Sequence, residues 1–568
     1  MRFAIIVLAV AVTFFGCVPI TEETEESTYT APVETGSGIA SGVSGELPSR
    51  IRESIDGHRL VTGAGERGEF YNISTIRRID LVFTQSDWWD QMRNNYYSEE
   101  DIAADMSVDG IALADPVGVR FKGETSYLRN PYSKKSFNIS LDFGDSEQKY
   151  MGYQELNLNC AFEDDSFMRE LVFEEVIQYY IPAVANNYVE LYLNGEYWGI
   201  YVSSQQLDGD FIKEWFLSNN GTRWRAEPEG TGLGNPGTGT SSLNYLGDDQ
   251  SDYEPHYTLK KAVKSNPWSD LITTCKVLDE TSSSAYTDIS AVLDVDRSLW
   301  FLACENVFAD DDSYIHKGGT DYFIYWEAET GRMTPLEYDG NSCLSPGNIY
   351  WSPFYNATSS RYPLLYKLLA VPHFRQRYLA HLRTILDERL NADYMDSLIE
   401  EYAARIDAYI QADPKKMMTY DQYLDAVSDL KTLVRTRHEY LMSNEEVGVD
   451  VPQISDTSWS VDGSYWAAPD SSQAVLVTAT VACTEGIEAV YLYGATGVVG
   501  NFSTISMKDD GEHGDGSAGD GVYGCTIPAQ TAGTRVRFYI EAVAADSINT
   551  LAYDPAGAEH DVYTYVVQ

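Results

Sequence analysis

Alternating hydrophobic and polar residues dominate the first half of the chain and predict β-strands there. The clearest segments are 78–83, 117–121, 135–143, 188–193 and 197–202. The last two flank Asn194-Gly195, and Asn-Gly between alternating segments indicates a tight hairpin, because both turn residues adopt positive φ. We therefore predict a strand-rich part that begins near residue 77.

The next part of the chain has apolar residues at spacings of three and four, which is the pattern of helices that pack on a core. Two shorter helices are predicted earlier, at 167–180 and 210–215. The longer helices are predicted at 294–308, 364–390, 394–411 and 420–441. Strands first and helices afterwards predict a two-lobed α+β body, which we place at residues 75–443.

Short alternating segments return in the C-terminal part of the chain. They lie at 474–482, 487–493, 521–527 and 534–542. Their lengths, spacing and turn content are typical of a small β-sandwich of the immunoglobulin or fibronectin-III type. We predict this sandwich at 457–568 and a linker before it at 444–456.

The N-terminus has the features of an export signal. After Met1-Arg2, an apolar run at 4–15 is shorter than the ~20 residues that a membrane-spanning helix needs. Gly16-Cys17 follows directly, so residues 1–17 resemble a bacterial lipoprotein signal in which Cys17 is lipidated. We therefore expect an exported protein that a lipid anchor holds at a membrane of the cell envelope. Secretion with an incidental cysteine is the alternative.

Acidic residues far outnumber basic ones. The chain has 86 Asp and Glu against 40 Lys and Arg, which gives a formal net charge of −46. This excess argues against nucleic acid as a partner, because phosphate binding needs clustered basic residues. The segment 18–74 begins with Glu, Thr, Ser and Gly and has no basic residue before Arg50, so we predict a flexible acidic linker there. A nucleotide site in such a chain needs local Lys, Arg or metal to reverse the field.

Three clusters of polar residues have the composition of a chemical site. They occupy 120–126 with the following Lys134-Lys135, 310–314, and 337–341. A strand lysine together with acidic loops suits phosphoryl transfer, because lysine offers positive charge to phosphates and carboxylates hold Mg²⁺. The two adjacent lysines point to opposite faces of a strand, so only one of them can enter a cleft. For each cluster taken alone, a solvated surface loop is the alternative.

In this order the clusters resemble the spore coat protein H (CotH) kinase family, whose members are atypical protein kinases that are secreted or coat-associated. The resemblance extends over residues 79–441. Its motifs are the turn 123–126 with 134–137, and the segments 164–169, 193–201, 312–314, 321–325 and 337–339. The resemblance implies a kinase-like fold without the usual glycine-rich loop, so we expect an α+β, atypical two-lobed protein-kinase-like domain followed by the sandwich.

The resemblance also implies roles for residues that match these motifs. Lys135 would bind the phosphates of ATP. Asp312 would be the catalytic-loop aspartate, which orients and deprotonates an acceptor hydroxyl. Asp339 would hold Mg²⁺ or Mn²⁺ against the phosphates, and Asp321 and Glu337 would be further metal ligands.

Two more residues are expected near the nucleotide. Arg169 would contact phosphate, and an ion pair with Asp164 or Asp165 is the alternative. Gln205 follows the predicted hairpin and would border the adenine. Together with the previous set, these residues define the cofactor-binding site that the resemblance implies.

The function implied by the resemblance is metal-dependent transfer of the γ-phosphate of ATP to Ser or Thr of an envelope or extracellular protein. The sandwich would add substrate or surface binding. A kinase-shaped surface binding or adhesion lipoprotein without turnover is the alternative. A metal-dependent hydrolase is a third possibility.

The predicted sandwich contains an acidic, glycine-rich segment at 509–521. Asp509, Asp510, Asp515 and Asp520 lie there between glycines that permit tight turns. Converging carboxylates suit Ca²⁺, which takes several oxygen ligands. A plain acidic hairpin loop is the alternative, because Asp-Gly often marks turns.

Overall fold

The structure, a computed structural model, describes residues 38–63, 67–227, 241–280, 286–317 and 322–568. The predicted signal with Cys17 lies outside the described residues, and so does Asp321. Among the helices that the structure describes, none is both long and apolar enough to cross a membrane.

The alternating segments of the first half form a sheet that closes on itself. The elements up to residue 205 are β1 (Ile51–Glu53), β2 (Arg59–Thr62), β3 (Arg77–Val82), α1 (Trp88–Asn94), β4 (Ile102–Val108), β5 (Ile111–Ala112), β6 (Val117–Lys122), α2 (Thr125–Leu128), β7 (Ser136–Ser140), β8 (Glu155–Asn159), α3 (Arg169–Ile177), β9 (Asn186–Leu193) and β10 (Glu196–Gln205). The strands pair in the order β3-β9-β10-β8-β7-β6-β4, and β3 also pairs with β4, so these strands make a barrel. β5 extends the barrel beside β4.

The pleat of the strands decides which side chains fill the barrel. In β4, every second side chain from Ile102 to Val108 is buried. β9 and β10 are joined at Asn194 and Gly195, which have φ of 50° and 80°. The predicted hairpin is therefore confirmed.

A mainly helical part with a second sheet follows the barrel. Its elements are α4 (Gly209–Trp215), β11 (Thr222–Ala226), β12 (Tyr257–Lys261), α5 (Trp268–Glu280), α6 (Tyr286–Val292), α7 (Val295–Phe308), β13 (Tyr322–Trp326), β14 (Met333–Glu337), α8 (Pro363–Leu369), α9 (Pro372–Glu388), α10 (Ala392–Ala412) and α11 (Tyr420–Met442). The four strands pair in the order β12-β11-β13-β14, all antiparallel. The single helix predicted at 364–390 is wrong, because Pro372 starts a new helix at its first position.

Helix α7 lies in the middle of this part. Every residue of α7 except Arg297 is buried. A helix that is buried on all sides belongs to the interior of a core rather than to its surface. At its N-terminus, the Asp294 side chain accepts a hydrogen bond from Arg297 N at 3.2 Å and caps the helix.

The predicted C-terminal sandwich is confirmed. Its strands are β15 (Gln453–Val461), β16 (Ser464–Tyr465), β17 (Val475–Ala482), β18 (Ile487–Thr496), β19 (Ser503–Met507), β20 (Val522–Ile527), β21 (Arg535–Ala544), β22 (Leu551–Asp554) and β23 (Val562–Val566). One sheet has the order β16-β15-β17-β20. The other has the order β1-β2-β23-β21-β18-β19, with β22 beside β21.

Two strands of this second sheet come from the segment that the sequence predicts to be a flexible linker, 18–74. In β2, Arg59 and Leu60 pair with Tyr563 and Val562 of β23. The described part of that segment is therefore not a linker. β2 is only four residues long and its partner is about five hundred residues away, so no local pattern indicates the pairing. β15 likewise begins inside the linker predicted at 444–456.

The sandwich and the helical part meet through buried polar contacts. Trp300 Nε1 in α7 donates to the carbonyl of Ala558 at 3.1 Å. Arg377 Nη2 in α9 donates to Glu559 Oε1 at 2.9 Å. Because these groups are buried, each would lose its partner if the two parts separated.

A buried ion pair ties the barrel to the segment after α10. Lys134 Nζ lies 2.5 Å from Asp413 Oδ2, and neither side chain is exposed to solvent. Lys134 Nζ also donates to the carbonyl of Ile200 at 2.7 Å. Burial lowers the pKa of Lys134, while Asp413 acts in the opposite direction.

Replacing Lys134 tests this link. We expect Lys134→Met to lower the free energy of unfolding by about 3–5 kcal/mol, because Asp413 is then left buried without its counter-charge. Urea unfolding measures the change. Lys149→Met is the matched control, since Lys149 pairs with Asp210 at the surface and should cost no more than about 1 kcal/mol. Equal costs for the two variants would contradict a stabilising role of the buried pair.

Candidate functional site

Asp339 lies on a tight turn directly after β14. Its φ of 73° places it in the left-handed region, which Asp tolerates better than most residues. The next residue, Gly340, packs on Phe173 of α3 so closely that a Cβ would come within 1.9 Å of the ring. Only glycine therefore fits at that position, and the contact fixes the turn against α3.

The side chains of Asn341 and Ser342 lie between Asp339 and Asp312. Asn341 Nδ2 donates to Asp339 Oδ1. Ser342 Oγ lies 3.0 Å from Asn341 Oδ1 and 3.0 Å from Asp312 Oδ2, and donates its proton to one of the two. Two acidic residues from separate loops thus lie on either side of Asn341 and Ser342. Lys317 pairs with the other carboxylate oxygen of Asp312.

Glu305 holds the loop that carries Asp312. It lies in the last turn of α7 and is fully buried. Its two carboxylate oxygens accept hydrogen bonds from the backbone N–H groups of Tyr314 and Ile315, at 2.8 Å and 3.1 Å. Sequence reasoning missed Glu305, because a Glu within a helical pattern is usually exposed.

The charges of a lysine and of a second acidic residue act on the carboxylate environment around Asp339. Burial raises the pKa of Asp339, whereas Lys122 and then Arg225 lower it. Burial also raises the pKa of Glu170 to about 7, with Asp339 acting in the same direction and Lys122 against it. Lys122 therefore lies within electrostatic range of both carboxylates. Lys122 ends β6, and Glu170 is in the first turn of α3.

Hydrogen bonds fix the side chain of Glu170. Asn159 Nδ2 lies 2.9 Å from each of its carboxylate oxygens, and Ser204 Oγ donates to Oε1. Both donors belong to barrel strands, so Glu170 joins α3 to the barrel. Its carboxylate is held in place from the barrel side while Asp339 approaches from the helical part.

Neither of the two adjacent lysines has the environment that the sequence predicts. Lys135 Nζ donates to the backbone carbonyls of Tyr127 and Asn130, at 3.1 Å and 2.5 Å. Lys134 is bound to Asp413. Both precede β7, which begins at Ser136, so the alternation of a strand does not apply to them. The lysine whose charge acts on Asp339 is Lys122, which belongs to the same sequence cluster.

Arg169 fastens the loop after Asp339. Its Nη1 donates to the carbonyls of Cys343 and Leu344 at 2.5 Å and 2.7 Å. Its Nε lies 3.7 Å from Asp164 Oδ1, which corresponds to the ion pair considered as the alternative. The guanidinium is thus engaged by protein atoms on two sides.

Gln205 is part of the core of the barrel wall. Its Oε1 accepts a hydrogen bond from Ala185 N at 3.1 Å, and its Nε2 donates to Glu214 Oε1 at 2.9 Å. Only 1% of the residue is exposed. Both ends of the amide are therefore used within the protein, and the structure does not place it against an open adenine site.

Glu337 lies behind the acidic loops. It is fully buried, and its Oε1 accepts a hydrogen bond from Tyr338 N at 3.0 Å. Burial raises its pKa well above the usual range, followed by the nearby charges of Glu305 and Asp310. These neighbours lie in the interior, so the structure groups Glu337 with other buried acids rather than with Lys122.

The acidic segment of the sandwich is an ordered hairpin loop. Asp509 accepts hydrogen bonds from the N–H groups of Gly519 and Gly521, and Asp515 accepts them from Asp510, Gly511 and His513. The carboxylates thus bind the backbone of their own loop. Within the described residues, no group of three or more acidic, His or Cys side chains is arranged to hold a metal ion. The Ca²⁺ prediction for Asp509, Asp510, Asp515 and Asp520 is therefore unsupported, and the alternative of an acidic loop describes the structure.

Comparison with known proteins identifies both parts of the chain. A family model for a conditioned medium factor second Ig-like domain matches residues 495–544, within the sandwich. The model of the CotH kinase protein family matches residues 119–441, more than half of the chain, and the chain belongs to this family. No curated protein matches the chain.

The hydrogen bonds of Glu305 give a test of the loop geometry. We expect Glu305→Gln to cost about 1–3 kcal/mol of stability, because the amide NH₂ group faces a buried N–H donor instead of accepting from it. Amide hydrogen exchange at Tyr314 and Ile315 should become faster. Glu401→Gln is the control, since Glu401 is a largely exposed helical residue paired with Arg405. Unchanged exchange at both amides would refute the proposed role of Glu305.

Proposed function

We propose that the protein is an exported, lipid-anchored atypical protein kinase that transfers the γ-phosphate of ATP to Ser or Thr of envelope or extracellular proteins. The observation that carries this proposal is the convergence of Lys122, Glu170, Asp339 and Asp312 from the barrel, α3 and two loops. In this reading the barrel and the helical part are the two lobes of a kinase-like domain, and the nucleotide binds between them.

The residues around Asp339 fit a magnesium–nucleotide complex. Their donors are carboxylate and amide oxygens, which Mg²⁺ prefers. Mg²⁺ is usually held by one or two carboxylates together with substrate phosphates and water, so a site with three or more protein carboxylates is not required. Asp339 would hold the metal, with Glu170 close by, and Lys122 and Arg225 would contact the phosphates.

The metal would supply positive charge to the phosphates, and each side chain of the protein has a separate task. Lys122 would bind phosphate oxygens, while Glu170 would keep the lysine oriented, in the way that a strand lysine and a helix glutamate act together in protein kinases. Asp312 would accept the proton of the acceptor hydroxyl. Glu305 and Arg169 would position the two loops without contacting substrate.

The local charge explains how a polyanion could enter such an acidic protein. Lys122 and Arg225 oppose the carboxylate of Asp339, so the field is less negative there than the net charge of −46 implies. Export and the lipid on Cys17 belong to the proposal on the strength of the N-terminal sequence. The Ig-like sandwich would add a surface for binding the substrate or the envelope.

Two lysine variants decide which lysine binds nucleotide. We expect Lys122→Met to weaken binding of ATP on the order of ten- to a hundredfold, because a charge-assisted hydrogen bond contributes about 1.5–3 kcal/mol. Lys135→Met should leave the affinity within about twofold, since that amine is bound to backbone carbonyls. Calorimetric titration with ATP and Mn²⁺ measures both. The reverse result would restore Lys135 as the phosphate-binding residue.

Autophosphorylation and phosphorylation of added protein test the reaction itself. Asp339→Asn should reduce incorporation of labelled γ-phosphate to background, and Asp312→Asn should reduce it about 10²–10⁴-fold, because a positioned base contributes that much. Asp311→Asn is the control, since Asp311 lies beside Asp312 and is more exposed. Nucleotide binding below detection would favour a surface binding protein without turnover. Release of phosphate from ATP without any phosphoprotein would favour a hydrolase.

A further inference from the structure

A cavity lined by both apolar and charged side chains lies between the helical part and the sandwich. Its volume is about 70 Å³, and its wall includes Asp294, Arg297, Glu327, Arg537 and Glu559. A cavity needs about 10–15 Å³ to hold one water molecule, so this space is larger than a single water requires. The cavity is therefore large enough for a small polyatomic ligand and too small for a nucleotide.

Two of the acids in the wall have close partners. Asp294 Oδ2 lies 3.1 Å from Arg332 Nη2. Glu559 Oε1 accepts hydrogen bonds from Arg377 Nη2 at 2.9 Å and from Tyr539 OH at 2.8 Å. Both carboxylates are thus paired with neighbouring side chains: Asp294 with Arg332, and Glu559 with Arg377 and Tyr539.

Another acid of the wall, Asp296, is held in the same way. Its Oδ1 lies 3.2 Å from Arg377 Nε and 3.0 Å from His381 Nε2, and its Oδ2 accepts a hydrogen bond from Glu559 N at 3.0 Å. The charges of Asp294 and Glu559 act on the arginines of the cavity, but neither acid accepts a hydrogen bond from Arg297 Nη1 or Arg537 Nη2.

Two arginines of the wall keep donors without partners. Arg297 Nη1 and Arg537 Nη2 are buried and have no hydrogen-bond partner among the residues that the structure describes. Only 5% of Arg537 is exposed. Its Nε donates to the carbonyl of Gly497 at 3.0 Å, which fixes the guanidinium beside the cavity. A buried guanidinium donor that is left without an acceptor is costly, so an acceptor is expected.

One carboxylate oxygen of the wall is also without a partner. Glu327 accepts a hydrogen bond from Thr330 Oγ1 at 2.7 Å through Oε2, while its Oε1 is buried and unpaired within the described part of the chain. Burial raises the pKa of Glu327, which favours the protonated form that can donate. Even if Arg297 turned towards Glu327, the donor of Arg537 would remain without an acceptor.

From this set of donors we infer that the cavity binds a small tetrahedral oxyanion, of the phosphate or sulfate class, between Arg297 of α7 and Arg537 of β21. An oxyanion of this shape presents acceptors in several directions and matches guanidinium groups that approach from two sides. The N-terminus of α7 lies at the same place and adds partial positive charge. Because one arginine comes from each part, the anion joins the sandwich to the helical part.

The position of this site along α7 distinguishes it from the Asp339 site. α7 has 14 residues and is therefore about 21 Å long, with Arg297 near its start and Glu305 near its end. The oxyanion would thus bind at one end of the helix whose other end holds the Asp312 loop. The inference does not depend on the proposed kinase activity.

Thermal unfolding of the full chain in inorganic phosphate or in sulfate tests the inference, with sodium chloride added to hold ionic strength constant. We expect a saturable rise in Tm of roughly 2–4 °C in the wild type with either anion. Arg297→Gln and Arg537→Gln should each abolish the rise. Isothermal titration should give one site per chain that disappears in the same variants. If Arg537→Gln does not fold, Arg297→Gln decides, because its side chain is less buried.

Two control variants locate the site. Arg535→Gln removes the same charge from the same strand, but Arg535 pairs with Glu53 outside the cavity, so the rise in Tm should persist. It should also persist in Lys122→Met, which removes the positive charge at the Asp339 site. Absence of a saturable rise in the wild type would overturn the inference. So would a rise that persists in both Arg297→Gln and Arg537→Gln, because the anion would then bind elsewhere.

Discussion

The fold of the candidate site depends on the carboxylate of Glu305, which accepts two backbone hydrogen bonds from the loop that carries Asp312. Glu305 can do this because α7 is buried along its whole length and cannot shift without disturbing the core around it. Asp312 then lies beside the turn of Asp339, whose own position depends on the contact of Gly340 with Phe173. The acidic pair is thus set by packing on α7 and α3 rather than by the loops alone.

Buried acids are the second constraint on this part of the molecule. Burial raises the pKa of Glu170, Glu174, Glu305 and Glu337, and each of them lies near at least one other acid. Such a group is tolerable when some members are protonated or when cations are adjacent. Backbone N–H groups bind Glu305 and Glu337, whereas the charges of Lys122 and Arg225 act on Asp339. The distribution of charge therefore distinguishes an acidic interior from Asp339, on which nearby cations act.

Sequence patterns predicted the hairpin and the C-terminal sandwich, because both rest on local alternation. The choice between lysines could not be predicted in this way. Lys134 and Lys135 both lie before β7, so the alternation of strand faces that would separate them does not apply. The pairing of β2 with β23 and the burial of Glu305 depend on tertiary contacts, which cannot be predicted from a short segment of the sequence. The break between α8 and α9 at Pro372 could have been predicted from the sequence, since a helix usually ends before a proline.

Strand pairing and buried polar contacts make the sandwich an integral part of the folded protein. The chain enters the sandwich sheet with β1 and β2, passes through the barrel and the helical part, and returns to pair β23 with β2. Arg377 and Trp300 of the helical part bind Glu559 and Ala558 of the sandwich. A chain that ended after α11 would leave a buried guanidinium and an indole N–H without their acceptors, and unpaired buried groups of this kind cost more than their hydrogen bonds contribute when made. The family match at 119–441 therefore marks a region of shared sequence. The folded unit extends beyond it, because the sandwich supplies the acceptors for Trp300 and Arg377.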